Sequence, residues 1–329
     1  MNKVHLFECL VRFYQKYHIA TLAIVLNLVK PKVITRLDGG LASQMWQFAL
    51  GYTVSRRLNF PLYIDACWFH KDGKDCKGNL NRRFLLLDTF PTIRKKFGAA
   101  VISSPSKNLK DRIFKLFHTD RFSKRPYYEF CEKDFFDKRA HYIEMYHAGF
   151  KYVSHYKNEL VQLFTFQLSL SEEEKNILHK ICNSESCALH IRRGDFLGTP
   201  FEVCTDYYYI EAIKLMRRLH NDIKIYVFTN DEEYAKKIIK EVGCEDFASI
   251  FEGRNEEDPR VDMYLISMCK HAIISNSAFS AFPTWLTYSP GKTVIRPKYW
   301  RPGKLKIPMQ NTYMEPGWIQ VPLSPQDDA

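Results

Sequence analysis

Residues 187–196 decide the fold of this chain and read Cys-Ala-Leu-His-Ile-Arg-Arg-Gly-Asp-Phe. The first five residues are mostly apolar, which predicts a buried strand, and the strand pattern breaks at Gly194. In open α/β sheets, ligands bind in the crevice beyond the carboxyl ends of the strands. The polar side chains that this stretch places at that end are His190, Arg192, Arg193 and Asp195.

The two adjacent arginines predict an anion at this edge of the sheet. Guanidinium matches phosphate in a bidentate fork, and such charge-assisted hydrogen bonds are roughly twice as strong as neutral ones. We therefore expect a phosphate or pyrophosphate site at Arg192 and Arg193. The alternative is structural, in which the two arginines point to opposite faces, one solvated and the other paired with Asp195.

Earlier in the chain, a strand, a glycine turn, a helix and a second strand follow one another. The first strand covers 32–37, the helix 42–58 and the next strand 61–66, which together make a βαβ unit. Gly39 and Gly40 precede the helix, where exposed backbone N–H groups suit an anion or a sugar hydroxyl. The glycine spacing is not that of a dinucleotide-binding fingerprint, and a plain tight turn is the alternative.

A second α/β pattern follows residue 168. Its first helix begins with Ser171 and Glu174, which have the spacing of a capping box. Helices and strands then alternate, as in a Rossmann-like domain. The predicted helices are 171–180, 206–220, 230–242, 262–268 and 278–288, and the strands after the central one are 223–228, 271–275 and 293–296.

These patterns divide the chain into three predicted parts. Residues 1–30 form an amphipathic helical segment, 31–168 a first Rossmann-like domain, and 169–329 a second one with a C-terminal tail. The apolar run at 19–29 is shorter than the roughly 20 residues that span a bilayer. An interfacial helix on a membrane surface and an ordinary packed helix are therefore both open for the first part.

The chain carries a formal net charge of +11, so its partners are expected to be anionic. A nucleotide sugar, an anionic membrane surface and nucleic acid all meet that condition. Residues 94–125 contain ten Lys or Arg with apolar residues between them, which fits a basic amphipathic patch or a solvated helical face. No recognised nucleic-acid-binding motif accompanies this stretch, so nucleic acid is not expected as a partner.

Nine cysteines are present, an odd number without a Cys-x-x-Cys pair. Their spacing predicts neither a metal site nor a disulfide framework, so we expect no metal and reduced thiols. Reduced thiols are typical of the cytoplasm.

The sequence resembles a known family at three ordered stretches. Residues 190–195, His-Ile-Arg-Arg-Gly-Asp, resemble the His-x-Arg-Arg-x-Asp signature of α-1,2-, α-1,6- and protein-O-fucosyltransferases. Residues 37–49 read Leu-Asp-Gly-Gly-Leu-Ala-Ser-Gln-Met-Trp-Gln-Phe-Ala, and 262–280 read Asp-Met-Tyr-Leu-Ile-Ser-Met-Cys-Lys-His-Ala-Ile-Ile-Ser-Asn-Ser-Ala-Phe-Ser. Both resemble motifs of the bacterial-type α-1,2-fucosyltransferases of glycosyltransferase family 11.

The resemblance implies an enzyme with two facing Rossmann-like domains, a GT-B-like arrangement. The implied reaction is an inverting transfer of L-fucose from GDP-β-L-fucose to a hydroxyl, O2, of a galactoside in a surface glycan or lipid-linked oligosaccharide, without cofactor or metal. Residues 31–168 would serve the acceptor and 169–329 GDP-fucose, in the bacterial cytoplasm or peripherally on the inner membrane. The alternatives are another GDP-sugar, another fucosyl linkage or, outside the enzymes, a basic nucleic-acid-binding protein.

The resemblance also assigns residues to the donor. Arg192 would bind the β-phosphate with Arg193 in support, and Asp262 would accept hydrogen bonds from N1 and N2 of guanine. His190 would bond the base or the ribose. Asp262 has a structural alternative as a helix N-terminal carboxylate, and His190 as a packed side chain. Further donor-binding candidates are Gly39, Gly40, Ser277, Phe279 and Ser280, with an N-cap as the alternative for Ser277.

An inverting transfer benefits from a general base on the acceptor hydroxyl. The carboxylates that the sequence offers are Asp38, Asp195 and Glu202, in that order of preference. Arg192, Asp195 and Asp38 therefore make up the predicted catalytic set.

Overall fold

The computed structural model describes residues 30–71, 73, 82–104, 111–112, 114–115, 119–120, 140–144, 149–199, 201–251, 258–301, 307–308 and 315–328. The predicted N-terminal segment lies outside these residues apart from Lys30, and so does much of the basic stretch at 94–125. Within the described ranges, no helix combines the length and the apolar composition that a membrane span requires. The chain forms two compact units, one ending at Tyr156 and the next beginning at Lys157.

The first unit is built on a parallel five-stranded sheet with the order β3-β2-β1-β5-β4. The βαβ unit predicted at its start is confirmed by β1, α1 and β2. The strands are β1 Val33–Arg36, β2 Leu62–Asp65, β3 Val101–Ile102, β4 Thr119–Asp120 and β5 His141–Ile143. The helices are α1 Leu41–Leu58, α2 Trp68–Lys71, α3 Leu86–Thr89, α4 Pro91–Phe97 and α5 Phe150–Val153.

Helix α1 lies close against β1 because Gly51 has no side chain. A Cβ atom at Gly51 would lie only 2.6 Å from Cβ of Thr35 on β1. The helix ends at Asn59, whose φ of 55° is the left-handed conformation that stops a helix. This close packing holds α1 against β1, the strand that leads into the glycine turn.

The second unit is built on a six-stranded sheet with the order β13-β10-β9-β6-β7-β8, in which every pair is parallel. A separate antiparallel pair joins β11 to β12. The strands are β6 Glu185–Ile191, β7 Ile223–Thr229, β8 Ala248–Ile250, β9 His271–Ile273, β10 Val294–Pro297, β11 Tyr299–Arg301, β12 Ile307–Pro308 and β13 Ile319–Val321. The helices are α6 Lys157–Leu163, α7 Glu172–Cys182, α8 Asp206–Leu219, α9 Glu232–Val242, α10 Arg260–Met268 and α11 Ala278–Leu286.

The two faces of this sheet differ in character. One face packs its apolar side chains, among them Leu189, Ile273 and Ile295, into a core with α8 and α9. Successive side chains of a strand alternate between faces, so His190 belongs to the other face. There it meets Ser280 of α11. The sheet thus has an apolar core on one face, and on the other a hydrogen-bonded group of His190, Ser275 and Ser280 at the start of α11.

The α/β prediction with two Rossmann-like units is confirmed, with differences in detail. The capping box of α7 is present, with Ser171 and Glu174 bonding each other's backbone N–H. Seven of the described strands were not predicted. They are β3, β4 and β5 in the first unit and β8, β11, β12 and β13 in the second. β13 lies in the segment interpreted as a C-terminal tail. It pairs with β10 and forms one edge of the sheet.

The division between the units lies twelve residues before the predicted one, at 156 instead of 168. Helix α6 accounts for the difference because it packs on α11 and so belongs to the second unit. Just after α6, the ring of Phe164 lies 5.4 Å from the ring of Phe282 on α11. A contact of this kind joins residues more than a hundred positions apart, so the sequence pattern does not reveal it.

Candidate active site

Three parallel strands of the second unit end at the same edge of the sheet and carry the polar residues of the predicted site. β6 leads into Arg192, β9 into the buried loop 274–277, and β10 ends at Pro297. Because β9 lies between β6 and β10, its loop lies between the other two strand ends. Helix α11 begins directly after this loop. Ligands of parallel sheets bind at such an edge.

Arg192 is fixed by Asp195. Its Nη2 lies 2.7 Å from each carboxylate oxygen of Asp195, and its guanidinium lies 5.5 Å from the centre of the Phe196 ring. The two charged side chains remain 21% and 20% exposed. The carboxylate engages one terminal nitrogen of the fork, so the guanidinium is oriented and still offers N–H donors to a ligand.

Arg193 makes a different set of contacts, around the start of α9. Its Nε lies 3.2 Å from Oδ2 of Asp231, and its guanidinium stacks 3.9 Å above the centre of the Tyr234 ring. Its backbone N–H donates to Oδ1 of Asn230 at 2.9 Å. The structural alternative, in which one arginine pairs with Asp195 and the other is solvated, is therefore correct for Arg192 only. Arg193 is not solvated but anchors the loop to α9.

The next residue, Gly194, is required by a close approach. A Cβ atom there would lie 2.2 Å from Nδ2 of Asn230. The same Asn230 receives the backbone N–H of Arg193, so one amide side chain sets the path of the whole turn. Asn230 was not among the predicted site residues. Its only signal in the sequence is its position directly after β7, at the same sheet edge.

Glu202, a candidate general base, is hydrogen-bonded within the loop that follows Arg193. Its Oε2 accepts the backbone N–H of Gly198 at 2.8 Å, and its side chain is 41% exposed. Its Oε1 lies 4.0 Å from Nη1 of Arg193. Of the two candidates in this unit, Asp195 is bound to Arg192 and Glu202 shapes the loop.

His190 is buried and held by two serines. Its Nδ1 lies 2.8 Å from Oγ of Ser275 and 2.9 Å from Oγ of Ser280. The Phe279 ring lies 5.3 Å from the imidazole. Burial, and then the charge of Arg192, lower the pKa of His190 to about 3, so the ring is neutral at physiological pH.

The serines of the closing motif divide into two roles. Ser277 is the N-cap of α11, where its side chain accepts the backbone N–H of Phe279 at 3.3 Å. Ser280, one turn into the helix, is buried against His190. The N-cap alternative for Ser277 is therefore what the structure shows. The first turn of α11 begins at the sheet edge, and backbone N–H groups of a helix N-terminus favour an anion.

Asp262 lies in the first turn of α10 and is half-buried. Just before it, Nε of Arg260 donates to Oδ1 of Asp258 at 2.6 Å. This position agrees with the structural alternative, in which the helix dipole stabilises the Asp262 carboxylate at the N-terminal end of α10.

In the first unit, Asp38 follows β1 and is held by Gln47. The backbone N–H of Asp38 donates to Oε1 of Gln47 at 2.9 Å, and Nε2 of Gln47 donates to Oδ1 of Asp38 at 2.7 Å. Burial raises the pKa of Asp38, against the hydrogen bond from Gln47 and the charge of Arg36. Asp38 is thus a buried carboxylate with a higher proton affinity than usual.

The two glycines of the first turn are not equivalent. Gly39 has a φ of 70°, which only glycine adopts at little cost. Gly40 is the N-cap of α1, and a Cβ atom there would meet nothing closer than Nη1 of Arg82 at 3.9 Å. Gly39 therefore makes the tight turn, while Gly40 keeps the backbone before α1 unobstructed.

Gln44, which the prediction did not single out, ties this turn to the next segment. Its Nε2 donates to the carbonyls of Gly39 at 3.1 Å and Arg83 at 2.8 Å. Its Oε1 accepts the backbone N–H groups of Leu85 and Leu86 at 3.0 and 3.1 Å. The signal for this role in the sequence is a glutamine among the apolar residues Leu41, Ala42 and Met45.

A second buried carboxylate that the prediction missed is Asp65, at the end of β2. It accepts hydrogen bonds from the hydroxyl of Tyr142 and from the backbone N–H of Cys67. Although burial raises the pKa of Asp65, the hydrogen bonds from Cys67 and Tyr142 outweigh it and lower the pKa overall. Asp65 and Asp38 therefore lie at one sheet edge with opposite pKa shifts.

The comparison with protein families matches residues 102–321 to the family described as glycosyl transferase family 11. This match covers most of the chain. The chain belongs to glycosyl transferase family 11. The predicted family is thereby confirmed, and with it the general activity of a glycosyltransferase.

Relatives of this family 11 protein have related activities. An alpha-1,2-colitosyltransferase of Escherichia coli is 29% identical over 82% of this chain and 92% of its own length. The O-antigen biosynthesis glycosyltransferase WbnK of Escherichia coli is 26% identical over 87% of this chain and 99% of its own. Galactoside alpha-(1,2)-fucosyltransferase 2 of Bos taurus is 26% identical over 55% of each chain.

One cluster in the family 11 protein has the composition of a metal site: Glu185, His220 and His271, at the amino-terminal edge of the sheet. Nδ1 of His271 accepts the backbone N–H of Thr293 at 3.0 Å, and its Nε2 lies 2.6 Å from Oε1 of Glu185. A neutral imidazole that accepts at Nδ1 carries its proton on Nε2. The nitrogen facing the cluster is therefore a donor to Glu185, which suits a hydrogen-bond network better than a metal ion.

Proposed function

We propose that this family 11 protein is an inverting galactoside α-1,2-fucosyltransferase. It would transfer L-fucose from GDP-β-L-fucose to O2 of a galactoside in a bacterial surface glycan or lipid-linked oligosaccharide. The observation that carries the proposal is the guanidinium of Arg192, which Asp195 orients at the carboxyl edge of the sheet beside the N-terminus of α11. The relatives named for α-1,2 transfer support the linkage.

The role of this edge follows from the reaction. Transfer breaks the bond between the anomeric carbon and the β-phosphate oxygen, and negative charge builds on the departing GDP. A preoriented donor aimed at that charge stabilises the transition state, and loss of one such donor costs on the order of 10²- to 10³-fold in rate. Arg192 and the backbone N–H groups of α11 supply positive charge there. Neutral His190 fixes the position of Ser280 without adding charge.

For the general base we propose Asp38. A base works best when its pKa lies closer to the working pH than that of an ordinary carboxylate. Burial raises the pKa of Asp38, whereas hydrogen bonds lower that of Asp65 despite its burial. The contrast favours Asp38 as the group that takes the proton of the acceptor hydroxyl. Asp38→Asn should lower kcat on the order of 10²-fold or more without weakening GDP binding.

For the nucleobase we propose Asp262. A carboxylate can accept two N–H bonds from the N1 and N2 edge of guanine, an arrangement that adenine and uracil do not offer. Asp262→Asn should therefore reduce the preference for GDP over ADP and UDP more than it reduces the affinity for diphosphate itself.

A second candidate function is α-1,2-colitosyl transfer, because the relative with 29% identity carries that name. The donor would again be a GDP-sugar in this proposal, so the phosphate and guanine contacts stay the same. The two functions differ only in the sugar that the acceptor attacks. Turnover with GDP-fucose and GDP-colitose on the same acceptor separates them.

We further propose that the transfer needs no metal ion, since arginine and helix N–H groups supply the charge on the phosphates. Activity should survive treatment with EDTA and should not rise when Mg²⁺ or Mn²⁺ is added back. A strict requirement for either ion would contradict this assignment.

The deciding experiment is calorimetric titration with GDP, GDP-fucose, GDP-mannose, UDP and NAD, followed by turnover on galactosides. GDP and GDP-fucose should bind with micromolar affinity, and Arg192→Ala should lose this binding. Arg218→Ala, an exposed arginine on α8, is the matched control and should bind as wild type. Product NMR that shows a bond to a position other than O2 would exclude the linkage, and equal binding of UDP and GDP would exclude the donor.

We also propose a cytoplasmic protein that associates peripherally with the inner membrane through residues 1–30. Sedimentation with anionic liposomes should recover the full chain and leave residues 31–329 in solution. Equal recovery of both proteins would exclude the membrane role of this segment.

A further inference from the structure

Arg296 lies near the carboxyl end of β10 and is a buried arginine. Only 5% of the residue is exposed. Its Nη1 donates to the carbonyl of Pro297 at 3.2 Å, and its buried Nε has no hydrogen-bond partner. Among the described residues, no carboxylate forms an ion pair with it. This arrangement is costly, because buried charges are ordinarily paired and hydrogen-bonded.

The strand register places Arg296 in the same layer as His190. β6 pairs with β9 so that Leu189 lies opposite Ile273, and β9 pairs with β10 so that Ile273 lies opposite Ile295. One residue further along each strand, the row runs through His190, Ile274 and Arg296. Residues in one row across parallel strands share a face of the sheet. Arg296 therefore lies on the α11 side, two strands from His190.

The same register places Arg296 opposite Arg192 across the loop before α11. The guanidinium of Arg296 extends toward the carboxyl edge, since it reaches the carbonyl of Pro297 at the end of β10. Arg192 follows β6 on the other side of β9. The loop 274–277 and the first turn of α11 thus lie between two arginines, one that Asp195 orients and one with an unpaired buried nitrogen.

The hydroxyl of Tyr208, which reaches the same edge of the sheet from the α8 face, does not resolve the cost. Tyr208 of α8 is fully buried, and its hydroxyl donates to the carbonyl of Ile274. A donor already committed to a carbonyl supplies no negative charge. Burial accordingly lowers the pKa of Arg296, with only a weaker opposing effect from Tyr208.

We propose that Arg296 is a second phosphate-binding arginine, which contacts the diphosphate of the donor from the side of the α11 N-terminus opposite Arg192. This assignment rests on the proposed function for the identity of the nucleotide but not for the presence of phosphate. Binding of the diphosphate would give the unpaired Nε and the buried charge an anionic partner. An arginine suits this position because its fork binds two phosphate oxygens at once.

The test combines affinity with stability. Arg296→Met keeps the length of the side chain and removes the charge, Arg296→Lys keeps the charge without the fork, and Arg218→Met on the surface of α8 is the control. Calorimetry measures the Kd of GDP, GMP and guanosine for each protein, and thermal unfolding measures the Tm without ligand and with inorganic pyrophosphate.

A phosphate contact predicts a defined set of results. Arg296→Met should weaken GDP by about 10- to 100-fold, the range for a lost hydrogen bond to a charged group, and leave guanosine unchanged. Arg296→Lys should fall between Met and wild type. Without ligand, Arg296→Met should unfold at the same temperature as wild type or higher, because an unpaired buried charge has been removed.

Three results would overturn the assignment. They are an unchanged Kd for GDP in Arg296→Met, an equal loss of affinity for GDP and guanosine, and a large drop in Tm or failure to fold, which would show that Arg296 holds the fold. Failure of the donor assignment looks different. If wild type ignores GDP while pyrophosphate raises its Tm but not that of Arg296→Met, the nucleotide is wrong and the phosphate site stands. If neither ligand acts on wild type, both assignments fall.

Discussion

Replacement of His190 by Asn should remove a specific part of the pH dependence of stability. The wild-type imidazole is neutral in the folded protein because burial lowers its pKa to about 3. In the unfolded chain a histidine titrates near pH 6.5. Below that pH the unfolded state binds a proton that the folded state does not bind, so stability is lost as the pH falls from about 6.5 toward 3.

The size of the effect follows from the gap between the two pKa values. Each pH unit within the window costs about 1.4 kcal/mol, so acidification from pH 6.5 to 4.5 should cost about 2.5 kcal/mol through His190 alone. Asn places an amide near the position of the imidazole Nδ1, which faces Ser275 and Ser280. It retains a hydrogen-bonding group there and has no proton to gain.

Urea unfolding, followed by circular dichroism, measures the free energy of unfolding of both proteins at pH 7.5, 6.5, 5.5 and 4.5. The quantity to plot is the wild-type free energy of unfolding minus that of His190→Asn, since groups common to both proteins cancel. This difference should fall by about 2.5 kcal/mol between pH 6.5 and 4.5. His179→Asn, on the exposed side of α7, controls for loss of an imidazole at the surface. A difference curve for His190→Asn that stays flat would refute the argument that this histidine is buried and neutral.

Three further substitutions test local packing by thermal and urea unfolding. Gly51→Ala should destabilise the protein by about 1 to 3 kcal/mol, because crowding against Thr35 outweighs the better helix propensity of alanine. Gly40→Ala is its control, because the nearest atom to a Cβ at Gly40 is Nη1 of Arg82 at 3.9 Å. Equal stability of the two variants would contradict the close approach at Gly51. Gln44→Ala should cost roughly 2 to 4 kcal/mol by leaving two buried backbone N–H groups without an acceptor; a cost below 1 kcal/mol would mean that water replaces the side chain. Ser171→Ala should cost about 1 kcal/mol through the lost cap of α7, and no change in the urea midpoint would count against the capping box.

The parts of the fold that the sequence predicts are those set by local patterns. β6 is recognisable because residues 187–191 are mostly apolar and Gly194 breaks the pattern soon after them, and the strand is indeed buried. The start of helix α7 is predicted by Ser171 and Glu174, whose side chains bond each other's backbone N–H within one helical turn. The order of helices and strands in the second unit follows from such signals in sequence.

The parts that it does not predict depend on partners far along the chain. β13 has three residues and becomes a strand only because it pairs with β10. Arg192 and Arg193 have different partners because Arg193 contacts Asp231, which lies 38 residues after it. Gln44 bonds a segment 41 residues away. A local sequence pattern does not reveal contacts of this range. The sequence therefore predicts which residues form the candidate site but not how their side chains are paired.

The register of the sheet explains why the two adjacent arginines do not act as a pair and why a distant arginine joins one of them. Arg192 and Arg193 are adjacent in sequence, yet one is held by Asp195 and the other by Asp231 beside α9. Arg296 is about a hundred residues away, and parallel pairing through β9 brings it to the edge where Arg192 lies. An anion between them meets positive charge from two strands and from the N-terminus of α11. We expect stability to rise when a diphosphate binds, because the buried Nε of Arg296, which has no hydrogen-bond partner among the described residues, then gains an acceptor.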